Sequence, residues 1–239
     1  MLLKGLKWRF QTDDTEMLQK MDVLHEEITP YSEYRIVKRG PRIDMEVRGA
    51  VFAVYHPQHL LSGYSWDALT AAAALSPYKR VRRILMLGVA AGTALRQMRW
   101  LWPKAEIVGV DIDEKLVKAA ERFMGLHEVA ANLIYDDADN ALASLEGPFD
   151  VIVDDLYRCG DDDVERGGRP FPQRLACLKK MLSPKGLLVA NFINDIGFEI
   201  PLEQGETAFK NSFAQVACIH ATYGLNQVYV GGSHLQGPE

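Results

Sequence analysis

Acids and small residues follow the apolar runs of this chain at regular intervals. "ILML" leads into Gly88, Val89, Ala90, Ala91 and Gly92; "IVGV" ends at Asp111; "LIY" is followed by Asp136, Asp137 and Ala138; "FDVIV" ends in Asp154 and Asp155. Glycine or alanine at 88, 90 and 92 lets backbone approach a ligand closely, but the third-glycine spacing of the dinucleotide fingerprint is missing. Asp111, 23 positions after Gly88, is suited to accept hydrogen bonds from both hydroxyls of a ribose. NAD sites and adenosyl-thioether sites both use such an acid, so Asp111 alone does not choose between them. Asp136, Asp137 and Ala138 stand where the adenosyl-binding version of such a sheet places an acid beside the adenine amino group. Asp113 reads as a helix N-cap. Adjacent carboxylates at a buried strand end cost solvation unless a cation accompanies them, and a sulfonium or an amine is a candidate partner for Asp155.

These residues need a sheet whose strand ends gather them. Apolar runs over 84–87, 107–110, 133–135, 151–153 and 187–192 alternate with helical periods over 93–102, 114–124, 138–145 and 172–182. Runs apolar on both faces, separated by amphipathic helices, describe a parallel sheet covered on both sides. Ligands of such sheets bind at the carboxyl ends of the strands. Further on, a helix over 203–210 and strands over 214–219 and 227–230, joined through Gly224, predict a closing antiparallel hairpin. Upstream, segments 34–38, 42–48 and 50–55 form a β-meander; Ile43, Met45 and Val47 alternate with charged residues. Ser65 offers an N-cap for a helix over 66–75. The first 30 residues carry mixed signals, with a short strand over 7–11. The segment 158–169 reads as a loop able to fold over the site, whereas its acids Asp161, Asp162, Asp163 and Glu165 read first as a solvated, mobile stretch. The expected plan is α/β: a small N-terminal β-domain over 1–62, and a Rossmann-like methyltransferase fold over 63–239. Its sheet is mostly parallel and seven-stranded, ending in an antiparallel hairpin.

The 239 residues suffice for one sizeable core with an appendage. With 48% hydrophobic and 25% charged residues the chain reads as globular. A formal charge of −5 argues against nonspecific nucleic-acid binding. No run has the apolar length of a membrane span, and residues 1–10 carry charge where a leader needs its apolar centre, so the expected location is the cytoplasm. Cys159, Cys177 and Cys218 are read as free thiols, two of them in core elements. Neither they nor the six histidines show metal-ligand spacing, and no metal is expected.

Taken in order, "ITPYSEYRIVKRG", "ILMLGVAAGTALRQM", "IVGVDID", "YDDADNAL" and "FDVIVDDLY" resemble the spermidine synthase family, aminopropyltransferases built on the methyltransferase fold. The resemblance covers roughly residues 25 to 195. It implies a site for S-adenosylmethionine or decarboxylated S-adenosylmethionine as donor, and a small-molecule amine or other nucleophile as acceptor. It implies Gly88, Ala90, Gly92, Asp111, Asp137 and Ala138 as donor-binding residues and Asp155 as the base that orients and deprotonates the amine. Asp154, Tyr157, Tyr64 and Asp67 are the expected acceptor-side residues. The chain departs from the family at Ser32 (where a glutamine is usual), at Ala91 and Arg158 (where acids are usual), and in "YSWDAL", which replaces a Tyr-His-Glu-like motif and leaves Tyr64 and Asp67 as remnants. Arg158 is expected to repel a polyamine. Trp100 and Trp102, with the meander, are candidates for a homodimer interface.

Aminopropyl transfer is the reaction the resemblance implies. Methyl transfer in the same pocket is the first alternative, since positioning alone can support it. A catalytically inactive homologue that binds a nucleoside or a partner is the second. An NAD-dependent enzyme ranks last.

Overall fold

The computed structural model of the chain describes residues 21–160, 164–194, 198–221 and 225–236. It opens with a four-stranded antiparallel meander: β1 (Met21–Ile28), β2 (Glu33–Arg39), β3 (Arg42–Val47) and β4 (Ala50–Tyr55), paired in chain order. β1 lies in a stretch where periodicity carries no clear signal. It is an edge strand with Met21, Val23 and Ile28 exposed, so no face has to be apolar and no alternation marks it. The strand expected over 7–11 lies outside the described residues.

Helix α1 (Ser65–Ala73) follows. Its N-cap position is Tyr64, without a side-chain cap, so Ser65 begins the helix instead of capping it. The Asp67 carboxylate holds the entry turn instead, accepting from the backbone N–H of Ser62 at 2.9 Å and of Gly63 at 2.8 Å.

The main sheet has seven strands in the order β12-β13-β11-β8-β5-β6-β7. They are β5 (Arg83–Leu87), β6 (Glu106–Asp111), β7 (Asn132–Tyr135), β8 (Phe149–Asp154), β11 (Leu182–Ile193), β12 (Gln215–His220) and β13 (Asn226–Gly232). Six point the same way, and only β13 is reversed, lying antiparallel between β11 and β12. The connection between β12 and β13, including Gly224, lies outside the described residues.

Alternate residues of the central strands serve two cores, which explains why these runs read as continuously apolar. Ile84, Met86, Val151 and Val153 pack on one face, with α1, with α2 (Thr93–Leu101) and α3 (Glu114–Phe123), and with the meander residues Ile36 and Met45. Leu85, Leu87 and Ile152 pack on the other with α4 (Ala138–Ser144), α5 (Phe171–Lys180) and α6 (Glu199–Ser212). Burying one such side chain contributes about 1.5–3 kcal/mol. Pro172 sits in the first turn of α5, where no N–H is needed. The meander is fastened to the sheet layer by Thr93, whose hydroxyl both donates to the Val54 carbonyl and accepts from the Val54 N–H, each at 2.9 Å.

The segment after β8 is a hairpin, not a loop: β9 (Tyr157–Cys159) pairs antiparallel with β10 (Val164–Arg166). Residues 161–163 lie outside the described residues. The three cysteines are all half-buried, so none sits in the core proper. Trp100 is exposed, whereas Trp102 packs partly against the core. Among the described residues no helix is long and apolar enough to cross a membrane.

Candidate active site

Strand order reverses at β5, between β6 on one side and β8 on the other, and this is where open α/β sheets hold ligands. A cleft lies there. Gly88, Val89, Ala90 and Asp111 form its floor; Asp155, Tyr157 and Asn191 form one wall, and Tyr64, Trp66 and Phe52 another.

The floor is built by backbone. The N–H groups of Val89 and Ala90 both donate to Asp111 Oδ2 at 2.9 Å, and the Asp113 N–H donates to Oδ1 at 3.0 Å. Burial pushes the Asp111 carboxyl above the usual aspartate value, and those three N–H groups oppose the rise. Gly88 has φ +82° and Ala90 φ +46°. The left-handed conformation costs a non-glycine residue roughly 1–2 kcal/mol. The Ala90 N–H bond to Asp111 helps offset that cost.

Gly88 cannot carry a side chain: a Cβ there would lie 2.4 Å from the Asp155 carbonyl oxygen. Gly88→Ala is therefore expected to push the ends of β5 and β8 apart, costing about 1–3 kcal/mol of stability. Calorimetry with an adenosyl donor should show affinity weakened about tenfold or more, ~1.4 kcal/mol; unchanged affinity would remove the turn from the site. Gly92 (φ +73°) faces the other way. It is the N-cap of α2, and a Cβ on it would strike Leu126, so it serves packing and does not line the cleft.

The adjacent carboxylates part company. Asp154 is fully buried, with Arg174 Nε on Oδ2 at 2.7 Å and Arg166 Nη2 on Oδ1 at 2.8 Å. Burial alone would raise its carboxyl, but the two guanidinium groups outweigh burial and hold it below the usual value. The cation that a buried pair of acids requires is thus supplied by the chain itself, and Asp154, expected on the acceptor side, is closed to substrate. Asp155 lines the cleft and accepts one bond from Asn191 Nδ2 at 2.8 Å on Oδ1. Burial pushes it up to about 6, while Asn191, Arg166 and the Trp66 indole act against that rise.

Tyr157 and Tyr64 both line the cleft. The Tyr157 hydroxyl donates to the Asn191 carbonyl at 3.1 Å and accepts from the Ile193 N–H at 3.1 Å, so its ring is held against the sheet end. The Tyr64 hydroxyl accepts from Arg42 Nη2 at 2.8 Å, and Arg42 Nε is bound to Asp44. Asp67 does not reach the cleft. Besides the Ser62 and Gly63 N–H groups, it accepts from Ser62 Oγ at 2.7 Å and Gln97 Nε2 at 2.6 Å, which corrects its acceptor-side assignment to a structural one. Asp137 and Ala138 lie one strand further out along the same carboxyl edge. Asp137 caps α4 through the Asp139 N–H, Ala138 is buried, and neither lines the cleft.

The departures also resolve. Arg158 projects from the exposed face of the hairpin, pairs with Glu165 at 2.7 Å and does not line the cleft. Ser32 Oγ and Thr29 Oγ1 each donate to Asp113 Oδ2 at 2.6 Å, bracing the residue whose N–H holds Asp111. Ala91 is buried beneath the turn. Four participants escaped the sequence reading: Trp66, Asn191, Asn226 and Arg166. Asn191, a polar residue inside "LLVANFI", was the one local signal available.

Residues 84–186 match the model of a methyltransferase domain. The chain is 29% identical over 131 residues to a probable polyamine aminopropyl transferase of Bifidobacterium longum, a match covering 55% of this chain and 28% of that protein. It is 26% identical to polyamine aminopropyltransferase 1 of Pseudomonas aeruginosa, over 97% of this chain and 77% of that protein. The chain thus spans well under half the length of the Bifidobacterium relative. In three dimensions it is similar to a spermidine synthase solved with the transition-state analogue AdoDATO, with TM-score 0.67 and 13% identity, covering 92% of this chain and 75% of that one. The resemblance to the spermidine synthase family holds in sequence, and the likeness in three dimensions shows the methyltransferase-type fold.

Proposed function

We propose that the protein is a transferase acting in the cytoplasm, which moves an aminopropyl group from decarboxylated S-adenosylmethionine to an amine. The observation that carries the reading is the convergence on one cleft of Asp111, held by the 88–90 turn, and Asp155, whose carboxyl is raised to about 6. The names of the relatives support the choice of chemistry.

In this reading the donor's ribose lies against Asp111 and the Gly88 backbone, with Asp137 and Ala138 toward the adenine. The acceptor lies beside Asp155, between Tyr64, Trp66 and Tyr157. An amine of pKa near roughly 10.4 arrives as an ammonium and must lose a proton before it attacks. The amine nitrogen then forms a bond to the propyl carbon as the carbon–sulfur bond breaks. Sulfur keeps the electron pair and leaves as a neutral thioether; Asp155 holds the proton given up before attack, and the product leaves as a secondary ammonium. A carboxylate near 6 is a stronger base at neutral pH than an ordinary aspartate.

The matched methyltransferase model favours one second reading, methyl transfer from S-adenosylmethionine in the same cleft. Calorimetry with decarboxylated S-adenosylmethionine, S-adenosylmethionine, methylthioadenosine and NAD, followed by mass-spectrometric turnover on a panel of amines, separates these readings. Binding of the decarboxylated donor and a product heavier by one aminopropyl group is the expected result. A methylated product supports the second reading. Binding of NAD alone overturns both, and tight nucleoside binding without any product points to an inactive homologue.

A further inference from the structure

Behind Asp155 runs a short chain of side-chain amides. Asn191 on β11 is buried, and its Nδ2 donates to Asp155 Oδ1 at 2.8 Å. Asn226, on the neighbouring antiparallel strand β13, donates from its own Nδ2 to Asn191 Oδ1 at 3.1 Å. The two ends of an asparagine amide are nearly equal in size but opposite in hydrogen bonding. What each end faces therefore decides which way the group points.

We propose that Asn226 is a positioning residue that fixes the Asn191 amide with its nitrogen, not its oxygen, against Asp155. The inference rests on the reading of Asp155 as the base. A charged carboxylate only accepts, so it demands the Asn191 nitrogen; Asn191 Oδ1 then needs a donor of its own, and Asn226 supplies it. Once Asp155 takes a proton it becomes a donor, and the favoured chain runs the other way: Asp155 to Asn191 Oδ1, and Asn191 Nδ2 to Asn226. With Asn226 donating to its oxygen, the Asn191 amide keeps its nitrogen toward Asp155, the direction that favours the ionised, proton-accepting state. The other charged or titratable groups near Asp155 are Asp154 on β8, Arg166 on β10, Tyr157 on β9, and Asp111 on β6, across the floor of the same cleft. None of these is hydrogen-bonded to the Asn226 side chain, so its replacement leaves their charges in place.

The test is the titration of Asp155, followed by carboxyl ¹³C NMR on aspartate-labelled protein and assigned with Asp155→Asn. Asn226→Leu, and Asn226→Ala without the added bulk, are expected to raise the Asp155 midpoint by about 0.5–1 pH unit, a threefold to tenfold change in its acid dissociation constant. The acidic limb of kcat/KM should move with it. In an Asn191→Leu background the same Asn226 substitutions should leave the midpoint where it is, because the path runs through Asn191. An unmoved midpoint in both single variants, or an equal shift in the Asn191→Leu background, overturns the proposal. If the wild-type protein turns over no acceptor, the transferase reading fails, and the NMR titration still decides the relay.

Discussion

Asp155→Asn is expected to abolish turnover and, at the same time, to make the protein more heat-stable. The first effect follows from the loss of the proton acceptor, a contribution of roughly 10²–10⁴ in rate. The expected signature is a fall of about 100-fold or more in kcat with donor affinity retained in calorimetry. The second follows from burial. The folded-state pKa of Asp155 is about 6, above its ordinary value of 3.8, so the group's favourable contribution to stability is present at acid pH and is lost as pH rises through about 6. At neutral pH the buried charge opposes folding by up to ~3 kcal/mol, at ~1.4 kcal/mol per pH unit. Asparagine keeps the shape and can still accept from Asn191. A rise in Tm of a few degrees at pH 7.5, shrinking toward pH 4, is expected, at ~2–4 °C per kcal/mol for a chain of this size. Unchanged turnover would reject Asp155 as the base; a Tm gain independent of pH would reject the burial argument. For the unmodified protein the same titration predicts that the proposed transfer gains rate as pH rises through about 6.

Arg174→Met is expected to cause the largest loss of stability. Arg174 is fully buried, with Nε on Asp154 Oδ2 and Nη1 on the carbonyls of Gly167 at 2.9 Å and Arg169 at 3.1 Å. Removing it leaves Asp154 in the interior with half its countercharge and leaves two carbonyls without their donor. Breaking a buried pair in this way costs about 3–5 kcal/mol, which corresponds to a fall in Tm of roughly 10 °C. Arg174→Lys keeps the charge but not the forked geometry, and should recover only part of the loss. Thermal unfolding at neutral pH checks both variants. A Tm within a degree of wild type for Arg174→Met would show that the pair is dispensable.

The residues that carry the cleft floor were legible in the sequence because local spacing determines them. Gly88 closes one apolar run and Asp111 the next, and neighbouring parallel strands bring their ends together. The partners of Asp154 were not legible in that way. Arg166 and Arg174 lie 12 and 20 positions downstream on two different elements, and only the folded chain brings them to one carboxylate. The misreading of Arg158 has a simpler origin. A loop has no inside or outside, but a strand alternates: once 157–159 pairs with 164–166, Tyr157 and Arg166 share the inner face and Arg158 and Glu165 the outer one. Asp67 looked like a remnant of acceptor chemistry, yet the turn beside it occupies its carboxylate with two N–H groups and a hydroxyl. Exposed edge strands such as β1 leave no hydrophobic trace and stay invisible to periodicity.

Arg166 ties the hairpin to the end of the sheet through Asp154, the Tyr157 hydroxyl and the Asn191 carbonyl, and stacks over the rings of Phe171 and Phe192. Swinging the hairpin outward would strip a buried anion of a partner and a cation of its aromatic seat. In kinetic terms this makes the paired strands β9 and β10 a wall of the cleft and not a door, so in the proposed reaction the acceptor is expected to enter past the other lining residues.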